Sequence, residues 1–222
     1  LFDFDRTLID LNIWIETDYL SSRREFADIY LESGISSSIT VKHMTPLRLY
    51  SGVYEDPEFD ISKEKFSKIQ EKVSKLIRER FEEKCLDVAV CLDGTREVLK
   101  WLSDEGMDVG IVSLNSDKVI EEILERKGLD NYVDLIFGRD SPGKPKPYPD
   151  QIEKCLNEFG CNPESALMVG DGPSDVKAAS RAGVSAVAIS YDYYSEKELW
   201  DSGPSEVIGS LLDLKEIIAN ME

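Results

Sequence analysis

ALMVGDGPSDVKAASRAGVSAVAIS, residues 166–190, reads as a strand, a helix and a second strand in immediate succession. Ala166 to Gly170 is an apolar run, Asp175 to Ala182 has helical composition, Gly183 stops it, and Ser185 to Ser190 is apolar again. Two strands joined by one helix imply a right-handed crossover and parallel pairing. The same rhythm extends back to about Asp93. Helices are expected at Arg96–Glu105, Lys118–Lys127 and Pro149–Phe159, each followed by a glycine, with strands at Met107–Ser113 and Leu135–Gly138. Toward the C-terminus a short helix at Ser195–Trp200, a strand at Glu206–Ile208 and a helix at Leu212–Ala219 complete the pattern. The first five residues, Leu-Phe-Asp-Phe-Asp, form a further short strand that opens the chain. The fold class expected is α/β, a Rossmann-like, doubly wound, mostly parallel sheet with helices on both faces.

Residues 11–88 break this alternation. Between Lys63 and Lys84, Phe66, Ile69, Val73, Leu76, Ile77 and Phe81 recur at spacings of three and four, and a second helical pattern covers Trp14–Leu31. They are read as an inserted α-helical domain, leaving residues 1–10 and 89–222 as the α/β core.

The 222 residues carry 44 acidic and 26 basic side chains, a formal net charge of −18. Such a field repels polyanions, so no nucleic-acid partner is expected. No apolar run is long enough to span a bilayer, and no membrane partner is expected. Cys85, Cys91, Cys155 and Cys161 fit neither a CxxC pair nor zinc-ligand spacing, and His43 is the single histidine. A reduced, cytoplasmic protein, monomeric or homodimeric, is expected.

In a doubly wound sheet, ligands sit beyond the carboxyl ends of the strands. The residues found there are Asp3, Asp5 and Thr7 after the first strand, then Ser113 after the second. Lys144 follows the third, in Gly143-Lys144-Pro145-Lys146-Pro147, and Asp171 and Asp175 follow the fourth. Lys146 is a rival to Lys144, and Asn115 to Ser113. Four carboxylates around one crevice repel one another, and a hard divalent cation, Mg²⁺, relieves this with oxygen ligands alone. A carboxylate can attack phosphorus, and a second acid two residues on can serve the leaving oxygen and then the incoming water. The cations and hydroxyls stabilise charge on the phosphoryl oxygens.

These four motifs, in this order, resemble the haloacid dehalogenase superfamily of phosphohydrolases. Asp3-Phe4-Asp5-Arg6-Thr7-Leu8 resembles its first motif, Ile111-Val112-Ser113 its second, Lys144 its third and Asp171…Asp175 its fourth. The resemblance covers about 1–10 and 90–222 at motif level. It implies that the helical insertion is a type 1 cap, and the C-terminal segments resemble most the phosphoglycolate phosphatase branch. Asp3 would be nucleophile and Mg²⁺ ligand. Asp5 would be the acid and base, offering its backbone carbonyl to the metal. Asp171 would be a direct ligand with Asp175 in or behind the shell, and Thr7, Ser113 and Lys144 would face the phosphoryl group. Arg6 stands where the family frequently has glycine; it either reaches an anionic group of the substrate or lies on the surface.

The activity so implied is Mg²⁺-dependent hydrolysis of a small phosphate monoester through an aspartyl phosphate. Asp5 argues against dehalogenation. A sugar phosphomutase of the β-phosphoglucomutase kind, a pyrophosphatase and a non-enzymatic phospho-acceptor are the alternatives. His43 is read as an ordinary residue. Arg23, Arg24, Lys42 and Arg48 could meet a substrate anion or lie on solvated helix faces.

Overall fold

The structure, a computed structural model of the chain, describes residues 1–11, 19–35, 62–191 and 193–221. It divides into two compact units: Leu1–Leu11 with Ala89–Glu222, and Asn12–Val88.

In the first unit, β1 (Ile9–Asp10) and β2 (Val90–Cys91) make a small antiparallel pair. The remaining strands are β3 (Gly110–Val112), β4 (Leu135–Phe137), β5 (Leu167–Gly170), β6 (Ser185–Ile189) and β7 (Glu206–Ile208). β3 pairs β4, β5 pairs β6 and β6 pairs β7, all in parallel. The N-terminal residues join these two blocks. Phe2 bridges Ile111 on one side and Val169 on the other, both in parallel. Its N–H donates to the Gly110 carbonyl and its own carbonyl accepts from Val112, each at 2.8 Å. Asp3 N–H to Val169 O and Val169 N–H to Leu1 O, also 2.8 Å, close the other side. The order is therefore β4, β3, residues 1–3, β5, β6, β7, a doubly wound sheet with the first segment of the chain in the middle.

The expected first strand is shorter than Leu1–Asp5. Its ladder ends at Asp3, because the chain then reverses: Leu8 and Ile9 N–H both donate to the Phe4 carbonyl. The reversal is what leaves Asp3 at the rim.

The helices form where apolar spacing and glycine stops place them. Thr95–Asp104 buries Val98, Leu99 and Leu102. Asp117–Lys127 is capped by Ser116, whose hydroxyl accepts from Val119 N–H at 3.3 Å, and ends at Gly128 in the left-handed region. Asp150–Phe159 and Pro173–Ala182 bury Ile152, Cys155, Leu156, Val176, Ala178 and Ala179 in one cluster with Met168, Ala186 and Ala188. Helix Asp150–Phe159 comes close to β3: a Cβ built on Gly110 would lie 2.5 Å from Cys155 Sγ, so only glycine fits there.

The second unit holds helices Tyr19–Glu32, Lys63–Ile77 and Glu83–Val88. The helix expected over Lys63–Lys84 is interrupted by a π-helical turn at Arg78–Glu82. Apolar spacing does not register that extra residue per turn. Phe26, Tyr30, Ile69 and Val73 are buried there. Residues 14–18 of the other expected helix lie outside the described residues. No helix among the described residues is long and apolar enough to cross a membrane. All four cysteines are free.

Candidate active site

Asp3 ends the central ladder, 9 % exposed. Asp171 directly follows β5, and Asp175 is the third residue of helix Pro173–Ala182. One carboxylate oxygen from each of the three lies within 4.8 Å of the others. Parallel neighbouring strands ending at the same sheet edge bring the first two together. Glycine brings the third: a Cβ on Gly170 would sit 2.4 Å from Asp175 Cβ. Asp175 is also fixed by the Gly172 N–H, which donates to its Oδ2 at 3.0 Å.

A lysine completes the cluster, and it is Lys146 rather than Lys144. Lys146 Nζ lies 2.8 Å from Asp3 Oδ1 and 2.5 Å from Asp175 Oδ1, its side chain 1 % exposed. Burial alone would lower its pKa, but Asp175 and Asp3 outweigh burial and hold it above the ordinary lysine value. Lys144 is exposed, with its ammonium 4.4 Å above the Tyr148 ring. Its backbone N–H serves Asp150 Oδ1 at 3.1 Å. The physical reason for this placement is local. Pro145, Lys146 and Pro147 are all buried, and prolines on both sides carry no N–H that burial would leave unmet.

Burial raises Asp5, Asp171 and Asp175, and each of these three feels its neighbours. Asp5 is pushed up to about 7 by burial and then by Asp3, against the pull of Arg6. Its Oδ1 accepts from Leu11 N–H at 3.2 Å, and its carboxylate is not part of the three-acid cluster. Asp175 is raised to about 6 by burial, partly offset by Lys146. Asp171 is raised well above the usual carboxylate range by burial, then by Asp175, Asp3 and Asp5. Three acids facing one ammonium, with oxygen donors only, fit a hard divalent cation such as Mg²⁺.

Ser113 directly follows β3, next to Asp3's strand, and is 1 % exposed; its hydroxyl accepts from Asn115 N–H at 3.2 Å. The Asn115 side-chain amide lies 3.5 Å from the same oxygen, so both rivals share that edge. Thr7 is fully buried, and its hydroxyl has no hydrogen-bond partner among the described residues. Arg139, which composition and motif did not single out, follows β4 with its side chain 2 % exposed, 3.9 Å from Asp140. Arg23 and Arg24 fall on helix Tyr19–Glu32; Lys42, His43 and Arg48 lie outside the described residues.

The close approach at Gly170 carries a prediction. Gly170→Ala should destabilise the fold by about 1–3 kcal/mol in urea unfolding. By displacing Asp175 it should also weaken Mg²⁺ binding about 10- to 100-fold by calorimetry. Unchanged metal affinity would show that Asp175 does not help to hold the ion.

A family model described as haloacid dehalogenase-like hydrolase matches residues 1–189. A phosphoglycolate phosphatase of Nitrosococcus oceani is 35% identical over 126 residues, 57% of this chain and 56% of that protein. Phosphoglycolate phosphatase 1 of Pseudomonas aeruginosa is 32% identical over 121 residues, 54% of this chain and 44% of that protein. The chain thus spans about half the length of the curated relatives it matches. A crystal structure of a hydrolase from Pseudomonas syringae superposes with a TM-score of 0.69 at 20% identity, covering 100% of this chain and 97% of that one, a likeness of fold.

Proposed function

From the premise that the chain belongs to the haloacid dehalogenase-like hydrolase family, we propose that it is a phosphatase. Its substrate on this reading is a small phosphate monoester, phosphoglycolate or a close analogue, in keeping with the names of the relatives. The observation that carries the reading is Lys146 bridging Asp3 and Asp175 inside a three-carboxylate cluster.

Asp3 is the nucleophile. Its carboxylate oxygen forms a bond to phosphorus as the ester P–O bond breaks, and Asp5, part-protonated near neutral pH, gives its proton to the leaving oxygen. Asp5 then takes a proton from water, which attacks the phosphoryl group and releases inorganic phosphate and free Asp3. Lys146 holds Asp3 for attack and meets the charge gathering on the phosphoryl oxygens, and we assign the Ser113 and Thr7 hydroxyls to the same oxygens. Asp3, Asp171 and Asp175, with the Asp5 carbonyl, are the groups that would hold Mg²⁺, which supplies further neutralisation of those oxygens. The helical unit Asn12–Val88 carries none of these residues, and we assign it the role of a cap that selects substrates. The four free cysteines suit a reducing, cytoplasmic setting.

Hydrolysis of p-nitrophenyl phosphate should require Mg²⁺ and stop with EDTA. Full activity after exhaustive chelation would remove the metal from the account. Isomerisation of β-glucose 1-phosphate without phosphate release would replace the hydrolase with a mutase.

A further inference from the structure

Arg6 combines three observations that the chemistry above does not use. It is the only non-glycine residue among those described with a positive φ, 60°. That region disfavours any side chain and costs glycine nothing. The turn after the central ladder imposes it, through Arg6 N–H to the Ile9 carbonyl at 2.6 Å. A long cation therefore occupies a position where the backbone favours glycine, the kind of local cost that accumulates at functional sites.

The second observation is where that cation sits. The Arg6 guanidinium carbon lies 3.8 Å from the centroid of the Tyr193 ring. Tyr193 meets Tyr194 edge to face, centroids 4.9 Å apart and planes at 88°. Tyr194 in turn lies against the loop after β5: a Cβ on Gly172 would be 3.2 Å from Tyr194 Cε2. Arg6 follows the central strand, Gly172 follows β5, and the tyrosines follow β6. Three adjacent strands end at one edge, so the stack forms part of the rim beside Asp3 and Asp171. The third is charge. A chain of net −18 repels a multiply charged ester, so discrimination in favour of one depends on cations fixed at the site.

We infer that Arg6, its guanidinium set over the Tyr193 ring, is a specificity-determining residue that reads a second anionic group, a carboxylate, on the substrate of the proposed phosphatase. A guanidinium presents its N–H groups in one plane, the fork geometry that matches a carboxylate, and an aromatic ring beneath its carbon leaves that edge to an anion. Lys146 serves the phosphoryl group, which every substrate shares, and Arg6 serves what distinguishes one ester from another. The assignment rests on the reading of the site as a phosphatase, so its test has an arm that needs no turnover.

That test compares 2-phosphoglycolate with ethyl phosphate, which has the same chain length but no carboxylate. In the wild type kcat/KM should favour 2-phosphoglycolate. Arg6→Gly, which relieves the backbone while removing the cation, should lower that preference about 10- to 100-fold, chiefly through KM, with ethyl phosphate altered less than about threefold. Arg6→Lys should recover part of the preference, and Tyr193→Leu should lose part of it. Equal losses on both esters, or an unchanged ratio, would overturn the inference. The second arm measures calorimetric binding of both esters to Asp3→Asn with and without Arg6→Gly. If the wild type hydrolyses neither ester but binding of 2-phosphoglycolate still falls with Arg6, the phosphatase reading fails and the anion reader stands. If binding does not respond to Arg6, the inference fails whatever the activity.

Discussion

Asp3→Asn is expected to lower kcat by more than about 10,000-fold on every phosphate ester, below what any other single substitution here produces. Asp3 is the one carboxylate at the end of the central strand, and it is oriented by Lys146 at 2.8 Å. An amide keeps the shape and the neutral hydrogen bonds but has no oxygen basic enough to form the bond to phosphorus. The fold should survive, because the Asp3 backbone, not its side chain, makes the ladder bond to Val169. Unchanged far-UV circular dichroism together with lost turnover is the expected pair. Asp5→Asn should differ in kind: with an activated aryl ester it should still accept phosphate in a burst and then release it slowly. Identical pre-steady-state traces for the two variants would show that the two acids do not divide the work.

Lys146→Ala should reduce kcat about 100- to 1000-fold on all substrates alike, the usual effect of removing one charge-stabilising donor. Two carboxylates, Asp3 and Asp175, lose their shared cation at once, and each is buried. The loss should be partial at saturating Mg²⁺, since the ion offsets some of the same charge. Lys144→Ala should stay within about threefold, because that ammonium rests on Tyr148 at the surface. Steady-state kinetics with p-nitrophenyl phosphate decide between them. A larger loss at Lys144 would mean that the loop rearranges when substrate binds.

The two lysines also mark where the sequence stops being legible. Asp3, Asp171 and Ser113 could be found because each directly follows an apolar run, and a strand's end in a parallel sheet has only one place to go. The chain between β4 and helix Asp150–Phe159 has no such periodicity. Gly143-Lys144-Pro145-Lys146-Pro147 offers two cations two residues apart, and which is buried depends on how the loop lies against Asp3 and Asp175, a tertiary matter. The glycine-terminated helices were legible to within a few residues. The π-helical turn at Arg78–Glu82 was not, because apolar residues at spacings of three and four run through it unchanged. Arg6 was visible only as a departure from a motif. Its left-handed backbone and its tyrosine partner, nearly 190 positions away, are set by the folded chain and leave no mark on the neighbouring residues.

The central claim is that Asp3 carries the phosphoryl group between two displacements. Its most direct measurement is an acid quench of the enzyme during turnover of a labelled ester, followed by peptide mapping of the label. The account predicts that the phosphoryl group is found on the N-terminal peptide, on Asp3, and that it is absent from Asp3→Asn. Label on any other residue, or rapid hydrolysis with no label at any quench time and inversion at phosphorus, would contradict it.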